Sequence, residues 1–309
     1  MILTITLNPA VDVSYRIDRF SMDTINRVED VLKTAGGKGI NVARVLAQLD
    51  EEVAASGFLG GSLGEFIRSE ISALGINDFF VEIAGETRNC IAVIHDGQQT
   101  ELLESGPTIS KSETDEFLKK FSAYVQQVQL VTVSGSLPKG LPADFYVTLL
   151  EIAHTYNKPV LLDANGTLLK ETLASEYKPY LIKPNDEEVA DLLEKKSVNE
   201  TQIVEALRSR LFAHIPWVVV TLGADGAIVK HDQTIYRAQA PRITAVNPVG
   251  SGDSVVAGFA AGIRRGLADE RLIKFGLAMG VLNAMEEKPG YVDIGKIDWA
   301  EKQINIEQI

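Results

Sequence analysis

Short, continuously apolar runs and longer amphipathic stretches alternate along this chain. Consecutive apolar, largely β-branched positions at Ile2–Leu7, Val53–Phe58, Leu130–Val133, Pro159–Leu162, Tyr180–Ile182 and Trp217–Thr221 predict strands covered on both faces. Helical patterns fill the intervals: Gly39–Leu49, Gly64–Leu74, Ser112–Val128, Asp144–Tyr156, Asp186–Leu193, Thr201–Leu211, Ser254–Arg265 and Asp269–Glu286. The alternation predicts an α/β fold with a doubly wound, mainly parallel sheet and helices on both faces.

Two stretches break that rhythm. Val11-Asp-Val-Ser-Tyr-Arg-Ile17 alternates apolar and polar residues, Asn89–Ile94 does so more loosely, and Thr100–Leu103 follows an Asp96-Gly97 turn. No helix separates them, so they predict half-buried antiparallel strands. They form a small β lid, drawn from about residues 11–34 and 88–104, on the edge of a single domain spanning 1–309. Val11, Val13, Tyr15 and Ile17 would present one apolar face, to be covered by the chain's own core or by another surface.

With 309 residues and 45% hydrophobic content, the chain can bury a large core. Its net charge of −12 argues against a nucleic-acid groove or an anionic membrane surface. An anionic small substrate would therefore need a local cluster of Arg and Lys. A single cysteine, Cys90, excludes an internal disulfide framework and fits a reducing compartment. Met1–Leu7 reads as a first strand rather than a signal peptide, and no apolar run reaches membrane-spanning length, which together predict a cytoplasmic protein.

The richest segment for chemistry is Asn247-Pro-Val-Gly-Ser-Gly-Asp253, which leads into an apolar helix. Glycines at a helix start free backbone N–H groups for an anion, and a carboxylate beside them can take a proton from a hydroxyl. Phosphoryl transfer to an alcohol needs that pairing. A second glycine cluster, Ala35-Gly-Gly-Lys-Gly-Ile-Asn41, offers Lys38 and Asn41 at another helix start, with Asp12 on the strand before it. No Walker A loop or Gly-x-Gly-x-x-Gly fingerprint occurs. The four histidines have no metal-ligand spacing, and Cys90 reads as a small strand residue.

Other segments add weaker signals. Asn185, in Lys183-Pro-Asn185, can cap the helix carrying Glu187 and Glu188, and Glu188 can close a capping box or reach a hydrated Mg²⁺. Thr221-Leu-Gly-Ala-Asp-Gly226 turns at the carboxyl end of a buried strand, where open α/β sheets bind ligands. Ser134-Gly-Ser-Leu-Pro-Lys-Gly140 follows another strand. Arg27, Lys38, Arg88 and Lys139 are the candidates for holding a substrate phosphate.

Taken in order, these motifs resemble the ribokinase-like sugar kinases of the PfkB family, from Leu3-Thr-Ile-Thr-Leu-Asn-Pro9 to about Gly290. Gly36-Gly-Lys-Gly39 with Asn41 is similar to the family's first signature, and Gly250-Ser-Gly-Asp253 to its second. Thr6–Asp12, Gly135–Pro138 and Lys183–Asn185 resemble the phosphosugar branch, as do Glu86–Ala92 and Gly97–Glu101. The resemblance implies ATP-dependent phosphorylation of a ketohexose phosphate, D-tagatose 6-phosphate first, with fructose 1-phosphate or fructose 6-phosphate as alternatives. A non-catalytic sugar-phosphate sensor is the competing class.

It also implies Asp253 as base, with Gly250, Ser251 and Gly252 as anion hole. Asp12, Gly37, Lys38, Asn41, Arg88 and Ser136 would surround the sugar phosphate, joined by Arg27, Glu101 and Lys139. Lys183, Asn185, Thr221, Gly223, Gly226 and Asn283 would contact ATP, with Glu188 near Mg²⁺. Lid sheets clasping one another would make a homodimer. One departure stands out: many relatives carry Asp-Thr where this chain has Asn247-Pro248, and Pro248 removes a backbone donor. A monovalent-cation site or nucleotide contact at that corner is therefore in question.

Overall fold

The computed structural model describes residues 1–309. The first half runs β1 (Ile2–Thr6), β2 (Ala10–Arg16), β3 (Asp30–Gly36), α1 (Lys38–Gln48), β4 (Val53–Leu59) and α2 (Gly61–Ala73). Short strands β5 (Asn77–Asp78) and β6 (Val81–Glu82) follow, then β7 (Arg88–His95), β8 (Gln98–Leu103) and α3 (Lys111–Val125). Next come β9 (Leu130–Ser134), α4 (Phe145–Thr155), β10 (Val160–Asp163), α5 (Gly166–Ala174), β11 (Leu181–Ile182), α6 (Asp186–Leu192) and α7 (Glu200–Arg208). The chain closes with β12 (Trp217–Thr221), β13 (Ala227–His231), β14 (Thr234–Gln239), α8 (Ser251–Arg264), α9 (Asp269–Ala284), α10 (Ile297–Gln303) and β15 (Asn305–Gln308).

The main sheet has the order β15-β14-β13-β12-β11-β10-β9-β1-β4-β5, with β6 also on β4. Every pairing from β12 to β5 is parallel, whereas β13, β14 and β15 extend the sheet antiparallel. Alternation along β1 divides the core: Ile2 joins the apolar cluster under α1, α8 and α9, while Leu3 and Ile5 join the one under α3, α4 and α7. The predicted doubly wound sheet is therefore present. No helix is long and apolar enough to cross a membrane.

The predicted elements hold with end shifts, and α5, β14, α10, β15 and the short strands β5 and β6 were not anticipated. Helix α5 buries only Leu169, Thr172 and Leu173, too few positions for a periodic signal. Strand β15 has a single half-buried residue, Ile306, and owes its place to pairing with β14. The β12–β13 and β13–β14 pairs are local hairpins, so only β15 is brought in from afar.

The lid sheet has the order β3-β2-β7-β8. Its two outer pairs are antiparallel as expected, but the central β2–β7 pair is parallel, with Asp12 opposite Cys90. The packing decides what covers the apolar face of β2. Val11 and Val13 are buried in the chain's own core beside Leu63 and Phe66 of α2, and Tyr15 and Ile17 are half-buried. The opposite face, Asp12, Ser14 and Arg16, looks into a cavity.

Candidate active site

A cavity of about 1120 Å³ lies at the carboxyl ends of the parallel strands, between the lid and the 240–250 loop. Open α/β sheets place ligand sites there. Its floor is the start of α8. The helix begins three residues earlier than its apolar pattern, at Ser251, so Asp253 sits inside the first turn instead of ahead of it. Gly250 caps the helix in a left-handed conformation (φ 82°), and a Cβ there would come within 3.0 Å of Pro289. Both facts favour glycine. The N–H groups of Gly250, Gly252 and Asp253 have no acceptor within the chain, so the turn presents free donors to the cavity.

Asp253 is buried, and Asn41 Nδ2 donates to its Oδ2 at 2.8 Å. Burial, reinforced by the Asp163 charge, pushes its carboxyl up to about 7 despite the Asn41 bond and the opposing charges of Lys38 and Lys183. A carboxyl that ionises near neutrality is suited to general-base work. Asn41 reaches it because Gly37 caps α1 and a Cβ on Gly36 would lie 2.2 Å from the Asp12 carboxyl. That glycine lets the turn close against the lid. Burial likewise pushes Asp12 up to about 6, against the pull of Arg44 and Arg88 and with the help of Glu101.

Beside the anion turn lies an ion cluster that sequence patterning missed. Asp163 ends β10, one position beyond the predicted strand, and the parallel register sets it next to Lys183 at the end of β11. Its two oxygens lie 3.4 Å from Lys38 Nζ and Lys183 Nζ respectively. Burial acts to raise the Asp163 carboxyl, but the two lysines outweigh it and hold it below the usual range, while Lys38 is raised chiefly by Asp163. A Cβ on Gly252 would sit 3.3 Å from Lys183 Nζ, so this lysine adjoins the anion turn. The only sequence signal was an acidic residue closing an apolar strand, Leu161-Leu-Asp163.

On the lid wall, Arg88 faces the cavity with Cys90 and Glu101. Arg88 Nη1 donates to Glu104 O at 2.8 Å and Nη2 to Asn8 O at 3.1 Å, while its buried Nε has no partner in the chain. The opposite end is apolar: Ile243, Ala245, Val249, Leu277, Val281 and Ala284 line it, with Asn185, Thr221, Gly223 and Gly226 at its rim. Asn185 and Glu188 form the expected capping box, at 2.7 and 2.9 Å. Burial raises the Glu188 carboxyl, with Asp163, Lys183 and Lys38 as charged neighbours. Asn247 pins its own loop, donating to Glu287 O at 2.9 Å and accepting from Val249 N at 3.0 Å.

Four expected contacts fall elsewhere. Asn283 is wholly buried behind the anion turn and spends its amide on Val249 O, Ser251 Oγ, Ser254 Oγ and Gly290 N. It holds the turn in shape and is not free for ATP. Arg27 and Lys139 are exposed and off the cavity wall. Ser136 is exposed as well and touches the site only through Asn8 Nδ2 at 3.4 Å.

An anion turn with its own buried carboxylate, set between a charged lid and an apolar cleft, is a phosphotransferase layout. The model of the pfkB family of carbohydrate kinases matches residues 2–292, and the chain belongs to that family. It is 47% identical over 310 residues to the tagatose-6-phosphate kinases of two Staphylococcus epidermidis strains, covering all of each chain. Among solved structures it is similar to a possible 1-phosphofructokinase of Thermotoga maritima (25% identity, TM-score 0.88, covering 100% and 99%). Phosphofructokinase-2 of Escherichia coli shares the fold (23% identity, TM-score 0.88, covering 97% and 98%). The chain is thus a carbohydrate kinase, a phosphotransferase that uses ATP on a sugar phosphate.

Proposed function

We propose that this kinase transfers the γ-phosphoryl of ATP to the C1 hydroxyl of D-tagatose 6-phosphate, yielding the 1,6-bisphosphate, ADP and a proton. The observation that carries the reading is the buried carboxylate of Asp253 inside a helix start with free N–H donors. Asp253 takes the hydroxyl proton as the oxygen attacks phosphorus. The free N–H groups of Gly250, Gly252 and Asp253, with Lys183, then face the charge that develops on the transferring group, while the Ser251 N–H donates to Pro248 O. The 47% identity with tagatose-6-phosphate kinases over the full length supports the choice of sugar.

Arg88 and Lys38 receive the 6-phosphate, while Asp12, Asn41 and Glu101 orient sugar hydroxyls. The base and ribose of ATP occupy the apolar end, against Gly223, Gly226 and the rim residues Asn185 and Thr221. No cluster of three or more acidic, histidine or cysteine side chains offers a closed metal cage. Mg²⁺ held mainly by phosphates and water fits that donor set, with Glu188 as the carboxylate that would reach it through water. Bound there, it would neutralise charge on the ATP phosphates.

The lid is also the proposed homodimer contact. Its support is the exposed apolar residues Met22, Ile25 and Leu102, not the β2 face, which the monomer covers itself. ADP release measured against D-tagatose 6-phosphate, fructose 6-phosphate and fructose 1-phosphate tests the substrate. The highest kcat/KM is expected on the tagatose ester. Preference for a fructose ester reassigns the sugar, and no turnover on any of the three points to the sensor.

A further inference from the structure

Arg44 is 3% exposed, yet no carboxylate lies within ion-pair distance of it. An unpaired buried guanidinium is held only if its donors are otherwise satisfied. Here they are. Nη1 donates to Asn41 Oδ1 at 2.8 Å and to Pro289 O at 3.0 Å, Nη2 donates to Ala35 O, and the guanidinium lies 5.4 Å from the Tyr291 ring centroid. These acceptors belong to three separate parts of the site. Ala35 precedes the first glycine turn, Asn41 touches the base, and Pro289 backs Gly250 of the anion turn.

The contact with Asn41 has a directional consequence. A side-chain amide has one accepting and one donating end, and a guanidinium only donates. Arg44 therefore compels Asn41 to turn Oδ1 towards it and Nδ2 towards Asp253 Oδ2. With the amide reversed, an oxygen would face the carboxylate. Asn41 and Arg44 are three residues apart on α1, so they share one helix face and the relay is built into a single turn.

We propose that Arg44 is a positioning residue for the reaction: through Asn41 it fixes the hydrogen bond that orients and ionises Asp253, and through Pro289 it holds the anion turn against that base. The inference rests on Asp253 being the base. The other charged groups around Asp253 are Asp163, Lys38 and Lys183, and those around Arg44 are Tyr291, Asp12 and Glu70. All remain in place when Arg44 alone is changed.

The test is the pH profile of kcat from about pH 5.5 to 9 for the full chain, wild type against Arg44→Met and Arg44→Lys, with KM for ATP and the thermal midpoint alongside. The sugar used is whichever ketohexose phosphate the wild type phosphorylates. Losing the donor to Asn41 and the positive charge both disfavour the carboxylate. The rise of kcat in Arg44→Met should thus move to higher pH by about one unit, a roughly tenfold loss at pH 6 that largely recovers at pH 9. Arg44→Lys keeps the charge without the planar fork and should move by less. KM for ATP should stay within about twofold.

A lower thermal midpoint with the rise of kcat unmoved would overturn the proposal and leave Arg44 a packing residue. Should Arg44→Met fail to fold, Arg44→Lys is judged on the same displacement. Asp253→Asn separates the two layers: if it retains near-wild-type turnover, the base assignment itself fails, whatever Arg44 does.

Discussion

The floor and the lid of the cavity are built on opposite terms. On the floor, Asn41, Asp163, Lys183 and Asp253 are all buried, each within hydrogen-bond or ion-pair reach of another charged or polar group. On the lid, strand β8 is exposed along its whole length and Arg88 is only half-buried. A buried, mutually bonded set keeps its geometry and strengthens its electrostatics, which suits groups that must be aligned as charge moves. A half-exposed sheet exchanges water for ligand at low cost and can adjust. The floor should therefore govern kcat and the lid KM.

The sharpest way to break that division is Asp253→Asn, which leaves the floor's shape but removes the proton acceptor. A fall in kcat of about two to four decades is expected, with ATP still bound. Near-normal turnover by a folded variant would dissolve the distinction. On the lid, Arg88→Ala should raise KM for the sugar phosphate by about ten- to a hundredfold through loss of a charge-assisted contact. KM for ATP should change little, and a rise there instead would mean the two ends of the cavity are assigned the wrong way round.

Next in size is the response to pH. Asp253 is active when ionised and its carboxyl is pushed up to about 7. Activity should then fall about tenfold per pH unit below that value and level off above it. A profile flat from pH 5.5 to 8 would contradict the burial of the base. Stability should run the other way. A carboxyl whose folded value is raised favours the folded state at low pH, and that contribution is lost as pH rises through about 7. Asp253→Asn should consequently melt several degrees higher than wild type near pH 8, the gain fading towards pH 4. Equal midpoints at both ends would contradict the raised carboxyl of Asp253.

The smallest effect concerns the lid's outer surface. Replacing exposed Leu102 and Met22 by Asp should leave folding intact and shift sedimentation from a dimer towards the 33.6 kDa monomer. A wild-type chain that already sediments as a monomer at micromolar concentration would confine the lid to covering the substrate.

Much of this was legible in the chain before any coordinates. Continuous apolar runs predicted the parallel strands, because a strand buried on both faces has no polar side to show. The glycine turns at 36–39 and 250–252 were also visible, since few other residues tolerate a φ of 82° or leave room beside a carboxyl 2.2 Å away. The capping box at Asn185 and Glu188 is a local three-residue relation and came through intact.

What the pattern left open were contacts between distant segments. Asp163 meets Lys38 and Lys183 only because β10 and β11 are neighbours in register. Asn283 resembled a ligand contact until its amide was found bonded behind the anion turn. The apolar face of β2 could have met a partner or the core, and its packing on α2 decided for the core. Arg44 carries no sequence mark beyond its spacing from Asn41. Sequence by itself determined local backbone geometry and which faces must be buried, because those depend on neighbours along the chain. Tertiary structure alone decided which charges share a low-dielectric pocket, and with them the ionisation of Asp253, because desolvation and Coulomb interactions depend on distance through space.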